Sequence, residues 1–474
     1  MNTAEKIYSA STSEDAGTAR LAERLARRIE DDIASSPLPV GGVMGSLRGL
    51  CEHYAVGRAA MREAVALLER RGLGRLRPGP SGGFMVAQPD VGRIGLELAN
   101  YFQLAGVTCE QVLDAREAVD PLLATLAAST TDRSEHGMRL DAPDEREGGL
   151  AWHVRVRSDL AAMSGDPVLP LFVQCLNELT MLFTGVESHD GDWLGQAKQQ
   201  AEAINQAVAN RDVTAAQQEA DRLHRRLGDW LAARDAPLSP PTIEASRQDA
   251  DRTLALLVAR RLAAEILPSG NAGQRLGSEW DLCERFSVSR VTLRQAIRQL
   301  QDSGLVECRR GRGNGLIVRD LRGTGSIRLV LAFLISRQVD PQTAGTTLFQ
   351  LNRFVPALAV SRASATERAR LRELLDRAQS SDPIDRYDLL ALVQYVSKLA
   401  RSPIIDLFSR CLAAYEARFH PFLLERLPAH KQAEYFALLR MLLDRLPMGG
   451  DAQLGWAKAE ASRVMLSMSS TRPI

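Results

Sequence analysis

Read for the spacing of its apolar positions, the chain alternates between short stretches of mixed period and long stretches of helical period. ARRIEDDI at 26–33 and ARRLAAEI at 259–266 carry apolar residues three and four apart, which predicts a helix in each. A glycine-bearing loop follows both. SEWDLCERF at 278–286 predicts a short second helix, with Ser278 as N-cap and Asp281 three residues on as the partner of a capping box. Phe286 to Ser289 predicts a tight turn. Arg290 to Ser303 predicts a third helix, with Leu293, Ile297 and Leu300 inward and Gly304 ending it. GLVECRRGRGNGLIVRD then alternates as two strands around a Gly/Arg tip.

Residues 91–233 and 326–470 read differently. REAVDPLLATLAAS, HVRVRSDLAAM, PVLPLFVQCLNELTMLF, AKQQAEAINQAVA and TAAQQEADRLHRRLGDWL all carry helical spacing and predict antiparallel helices. SIRLVLAFLIS is the one stretch there that reads as a possible strand. The fold class is therefore mainly α.

The pattern occurs twice. GSLRGLCEHYAVGRAAMREAVALLERRGLGRLRPGPSGGFMV at 45–86 aligns without a gap on GSEWDLCERFSVSRVTLRQAIRQLQDSGLVECRRGRGNGLIV at 277–318. Arg58 pairs with Arg290, Arg62 with Arg294, Gly72 with Gly304 and Gly79 with Gly311. The likeness resumes as GDPVLPLFVQCL at 165–176 and RSPIIDLFSRCL at 401–412. One ancestral unit of domain size, copied head to tail, accounts for both. The expected division is a leader at 1–18, a first compact module at 19–90, a first helical domain at 91–233, a proline-bearing linker at 234–250, a second module at 251–322 and a second helical domain at 323–474.

Composition changes this picture little. A chain of 474 residues with 45% apolar and 25% charged residues is ordinary for a soluble multidomain protein. No apolar run approaches the roughly 20 residues of a bilayer span, and the amino end lacks a secretory pattern, so the expectation is a cytoplasmic protein without a membrane partner. The six cysteines form no C-x-x-C, and the equivalence of Cys51 with Cys283 and of Cys175 with Cys411 predicts reduced thiols on apolar helix faces. A net charge of +1 excludes nothing. Its distribution matters more: residues 252–322 carry a surplus of six positive charges and residues 20–90 a surplus of three. Nearly all are arginine, the side chain whose fork matches phosphate oxygens and guanine edges.

Helix, short helix, turn, helix and two-stranded wing is the order of a winged helix-turn-helix. In that geometry the third helix meets the major groove by its amino-terminal turn. There Ser289, Arg290, Thr292 and Arg294 are polar, as are Arg58 and Arg62 in the first copy. The wing tip Arg309–Gly313, with Arg310, Gly311 and Arg312, supplies charge on pliable backbone for a neighbouring phosphate. These residues carry a resemblance. Ser278, Glu279, Leu282, Val288, Ser289, Arg290, Thr292, Arg294, Ala296, Leu300, Gly304, Leu305 and Gly311 resemble the winged-helix pattern of GntR-type regulators, which implies that Arg290, Thr292 and Arg294 contact an operator in double-stranded DNA. Ser46, Leu50, Val56, Arg58, Arg62, Ala64 and Gly72 match in the first copy. Trp280 stands where the family usually has an arginine contact, and Arg48 keeps that basic position in the first copy. Gly57 and Ala60 replace a serine and a threonine or proline.

The helical domains resemble the FCD effector domain of the FadR-like branch, which implies dimerisation and binding of a small carboxylate, often through a metal held by one Asp and three His. At those places the first copy has His153, Arg157, Ala201 and Leu223 or His224. The second has Leu389, Val393, Tyr435 and Ser462. Neither set predicts a metal site, and no cofactor is expected. Arg116, Asp120, His153, Arg157 and His224 remain as a candidate site for an organic-acid or acyl effector held by charge-assisted hydrogen bonds. Leu351, Val355, Leu389 and Val393 make the second copy's counterpart apolar.

The resemblance implies a homodimer in ordinary family members. Here one chain supplies both halves, so the expectation is a metabolite-responsive repressor acting as a covalent pseudo-dimer, with further homodimerisation left open. Two other readings stand beside it: a sensor or interaction protein whose winged helices no longer bind DNA, and a fusion to a pyridoxal-phosphate aminotransferase. The latter needs a Schiff-base lysine in a glycine-rich α/β setting, and none of the five lysines lies in one.

Overall fold

The computed structural model describes residues 21–33, 41–130, 149–184, 191–232, 254–266, 273–302, 305–308, 315–318, 324–380, 385–419, 428–446 and 451–469, apart from isolated positions within them. The expected leader and linker lie outside the described residues, as does the second wing tip with Arg310, Gly311 and Arg312.

The first winged module runs α1 (21–33), β1 (Val43–Gly45), α2 (Leu47–His53), α3 (Arg58–Arg70), β2 (Gly74–Arg77) and β3 (Gly83–Val86). The second repeats it as α10 (254–266), β4 (Arg275–Gly277), α11 (Glu279–Phe286), α12 (Arg290–Asp302), β5 (Val306–Cys308) and β6 (Leu316–Val318). Each sheet has three antiparallel strands, in the orders β1-β3-β2 and β4-β6-β5. The sequence predicts two strands. The third is only three residues long and shifts register at its glycine, too short for a period of two to show. Its glycines explain the close pairing. A Cβ on Gly83 would sit 2.3 Å from the Gly45 carbonyl oxygen, and one on Gly315 would sit 2.3 Å from that of Gly277. Both crossings therefore need glycine, at equivalent places in the two copies.

The helices close over these sheets through the expected faces. Leu293, Ile297 and Leu300 of α12 join Leu262, Ile266, Leu282, Leu305 and Leu316 in the second core. Met61, Val65 and Leu68 of α3 are buried in the first module, as are Leu25, Ile29 and Phe84. The capping box is present: Ser278 Oγ accepts from the Asp281 amide at 3.2 Å, and Asp281 Oδ2 accepts from the Ser278 amide at 2.9 Å. Backbone hydrogen bonding in that box holds the Asp281 carboxyl below its usual value. The turn before each third helix is left-handed, with φ of 53° at Ala55 and 51° at Ser287.

The remaining helices are α4 (Val91–Leu104), α5 (Cys109–Ser129), α6 (Gly149–Met163), α7 (Leu169–Thr184), α8 (Gly191–Ala209) and α9 (Val213–Ala232) in the first half. The second half has α13 (Thr324–Ser336), α14 (Pro341–Leu351), α15 (Val355–Arg362), α16 (Ala365–Gln379), α17 (Arg386–Leu399), α18 (Pro403–Glu416), α19 (Ala429–Arg445) and α20 (Asp451–Ser469). SIRLVLAFLIS is helical, as part of α13, with Val330, Ala332, Phe333, Leu334 and Ile335 all buried. A run apolar on every side carries no period, so helix and strand read alike. No helix among the described residues is long and apolar enough to cross a membrane.

The chain divides into two compact units. One comprises Met1–Ile94 with Arg328–Asp340, the other Gly95–Ile327 with Pro341–Ile474. Inside the larger unit the two helical halves meet. Phe172 of α7 and Phe408 of α18, equivalent residues of the repeat, stack face to face at 3.9 Å with planes 11° apart. The contacts around them run in both directions: Gln111 of α5 donates to the Arg401 carbonyl at 3.1 Å, and Thr347 of α14 donates to Asp166 at 2.9 Å.

One contact repairs a defect. Pro121 lies inside α5 and has no amide hydrogen, so the Glu117 carbonyl loses its helical donor. The buried Arg353 guanidinium donates to that carbonyl at 3.0 Å and also to the Ala118 carbonyl. Lys458 Nζ pairs with the Glu117 carboxylate at 2.6 Å. Arg353→Met keeps the apolar stem and removes the donors. It is expected to cost about 1–3 kcal/mol, the penalty of a buried unpaired polar group, read as a lower denaturant midpoint. An unchanged midpoint would remove this account of the α5 proline.

Candidate nucleic-acid interface and candidate effector site

The amino-terminal turn of each third helix is where the sequence places the DNA contacts. Arg58 is the first residue of α3, and Arg62 lies one turn on; both are exposed. Arg48, in the first turn of α2, is exposed and pairs with Glu52 at 2.9 Å. Ser46 caps that helix, its hydroxyl accepting from the Gly49 amide at 3.1 Å. Arg75 and Arg77 of β2 are exposed beside the Gly79 turn, whose φ of 115° suits glycine. Sequence reasoning passed over these two, although their alternation along a strand leading to a glycine turn was the available signal.

In the second copy Ser289 is the N-cap of α12. Its hydroxyl accepts from the Thr292 amide at 3.1 Å and lies 2.8 Å from the Thr292 hydroxyl. Thr292 is buried and its hydroxyl is engaged by the cap, whereas Arg290 and Arg294 beside it are exposed. Thr292 lies one turn before the buried Ala296, on the inward face of α12. The Arg290 guanidinium lies 5.4 Å from the centre of the Trp280 ring, and Arg294 Nε donates to Glu279 at 2.6 Å. These pairs draw the first turns of α11 and α12 into one surface. What that surface offers is cationic side chains around a helix amino end, the arrangement that attracts phosphate and reaches base edges.

The effector candidates lie in the first helical half. Arg116 and Asp120 are one turn apart on α5, His153 and Arg157 one turn apart on α6, and all four are buried. Asp120 Oδ2 accepts from Arg157 Nε at 2.6 Å, and Oδ1 accepts from Arg116 Nη1 at 3.4 Å. His224 Nδ1 of α9 stands 4.0 Å from Asp120. The structure adds Asn177 and Thr180 of α7, which accept from Arg116 Nη2 at 2.8 Å and from Arg116 Nε at 2.7 Å. Two polar residues one turn apart in the apolar run LFVQCLNELTMLF were the sign of them in the sequence.

Electrostatics follows from burial. Desolvation pulls the Arg116 guanidinium down to about 9, against the attraction of Asp120, so it stays charged at neutral pH. Burial pushes Asp120 up, but Arg157 and Arg116 together overcome it and hold the carboxyl below its usual value. Burial lowers His153 and His224, leaving both neutral; Arg157 and Arg116 oppose protonation of both, and the attraction of Asp120 and Glu117 at His224 does not overcome its burial. The cluster thus sets two guanidinium charges against one carboxylate. Among the described residues, Arg157 Nη2 and His224 Nδ1 are buried without a hydrogen-bond partner. In the second half Leu351, Val355 and Leu389 are buried apolar residues at the corresponding places. Among the described residues no group of three His, Cys, Asp or Glu side chains is arranged to hold a metal ion. Cys175 and Cys411 are buried and reduced, and burial raises both thiols far above the range where a thiolate forms.

Comparison with known proteins bears on the winged modules. Residues 21–83 and 254–315 each match the family described as bacterial regulatory proteins, gntR family. The chain is 31% identical over 139 residues to an uncharacterized HTH-type transcriptional regulator of Mycobacterium tuberculosis, across 29% of this chain and 54% of that protein. It therefore spans about half the length of the relative it matches. A solved structure of a Streptococcus agalactiae GntR protein is similar at 18% identity and a TM-score of 0.31, over 45% of this chain and 97% of that one. In each half of its length, then, the chain carries a winged helix-turn-helix that matches the gntR family of bacterial regulatory proteins.

Proposed function

We propose that this protein is a sequence-specific DNA-binding transcription regulator in which one chain supplies both operator-reading modules. The observation that carries this reading is the exposure of Arg58 with Arg62, and of Arg290 with Arg294, at the amino ends of two equivalent helices. Residues 19–90 and 251–322 act as readers, and 91–233 and 323–474 as FCD-like domains joined on each other. The Phe172–Phe408 stack and the reciprocal hydrogen bonds around it support a covalent pseudo-dimer. Tethering makes engagement of the second reader intramolecular, which raises its effective concentration.

The first helical domain is the sensing half. Its cluster holds one more positive than negative charge out of water, a costly state that an effector carboxylate seated at Arg157 Nη2 and His224 would relieve. Ligand release or capture there makes the protein a metabolite-responsive repressor, without a metal.

Two measurements test these statements. Gel shift against the chain's own promoter region should show binding that weakens about 10³-fold or more between 50 and 200 mM salt, as release of counterions from six or more phosphates requires. Binding indifferent to salt, or none at 50 mM, would remove the DNA reading. A panel of small carboxylates should include one that raises thermal stability by about 2.7 kcal/mol at a hundred times its Kd. Arg157→Met should abolish that gain, and a gain that survives it would move the effector elsewhere.

A further inference from the structure

The two readers present different chemistry at equivalent positions. Where the first has Arg48 the second has Trp280, 64% exposed on the first turn of α11. Where the first has Ala59 the second has Val291, 68% exposed on the first turn of α12. Among the described residues neither belongs to the second core. Leaving an indole and a branched aliphatic side chain in water is unfavourable, and one such pair beside two arginines at a helix amino end marks a contact surface. Charge is redistributed to match. Arg294 is held by Glu279 through both carboxylate oxygens, at 2.6 and 3.5 Å, and Arg290 lies against the indole. Leu47 occupies the place of Glu279 in the first copy, so that position offers Arg62 no carboxylate.

Each surface suits a different base. An arginine fork recognises the two acceptors of guanine in the major groove, whereas an apolar side chain recognises the C5-methyl group of thymine. Resting on the DNA-binding reading above, we propose that Trp280 and Val291 make the second winged helix a reader of thymine methyl groups, so that the operator consists of two unlike half-sites, guanine-bearing for the first module and thymine-bearing for the second. The single polypeptide permits this, because a homodimer of identical readers can only ask for the same half-site twice.

Selection from duplexes randomised over about 30 base pairs, long enough for two half-sites, tests the idea with the full chain. Wild type should return an asymmetric site with a thymine in one half where the other half has guanine, preferred roughly fivefold or more. Trp280→Arg should return a site in which the thymine half has moved toward the guanine half, and Trp280→Phe should keep the thymine. Trp280 is exposed, so all three proteins fold alike. A palindromic site for wild type, or the same site for wild type and Trp280→Arg, overturns the proposal while leaving DNA binding intact. Enrichment of no sequence by any of the three overturns DNA binding itself, and the proposal with it.

Discussion

Replacing both Arg58 and Arg290 by alanine is expected to reduce specific DNA binding by two to four orders of magnitude, while each single change costs about 1–3 kcal/mol. Each arginine opens its helix, is exposed, and sits where the amide groups of the first turn already favour an anion. On the proposed reading, truncation removes a fork that contacts either base edge or phosphate, and the salt dependence separates the two. A phosphate contact takes about one unit from the slope of binding against salt, whereas a base contact leaves the slope and relaxes the sequence preference. Arg290→Ala should be the costlier single change, because the second module keeps Ser289 as the cap that fixes the helix start, where the first has Gly57. Titration of labelled promoter DNA with the three variants measures this. Equal affinity for wild type and the double variant would mean that the helix ends are ordinary solvated surface.

The second large effect concerns folding. Asp120→Ala should destabilise the protein by about 3–5 kcal/mol, because it strands two buried guanidinium groups without their carboxylate. Denaturant unfolding reads the loss directly, and added acetate or chloride should recover part of it in the variant more than in wild type. Asp120 is held below its usual value, so its stabilisation is complete above an unfolded value of about 3.9 and disappears as pH falls through the folded one. His153 and His224 are lowered in the folded protein, so below about 6.5 the unfolded chain takes up protons that the folded chain refuses. Stability should therefore fall from about pH 6.5 downward, at up to about 1.4 kcal/mol per pH unit for each histidine. His224→Gln should flatten that slope. A midpoint constant between pH 7 and pH 5 would contradict the buried neutral assignment.

Much of the fold was legible because it is local and occurs twice. The gapless repeat located both winged modules, and the capping box at Ser278 and the inward face of Leu293, Ile297 and Leu300 follow from spacing alone. What escaped has physical reasons. Three-residue strands at Val43–Gly45 and Arg275–Gly277 exist only through pairing with a distant strand. The apolar run in α13 carries no period. Thr292 matches a family contact in sequence, but its inward turn depends on the cap that Ser289 makes beside it. The use of Arg353 to satisfy a carbonyl freed by Pro121 joins residues more than 230 positions apart, which no local pattern reports. In the effector cluster the i, i+4 pairs on α5 and α6 were readable, whereas the excess charge was visible only once Asp120 was seen serving both arginines.

Sedimentation of the intact chain on its selected duplex, combined with hydroxyl-radical footprinting at low ionic strength, tests the central claim most directly. The expected result is one chain per duplex with two separate protected tracts, one of which disappears in Arg58→Ala and the other in Arg290→Ala. A complex needing two chains, a single tract lost equally in both variants, or no complex with any duplex would contradict it.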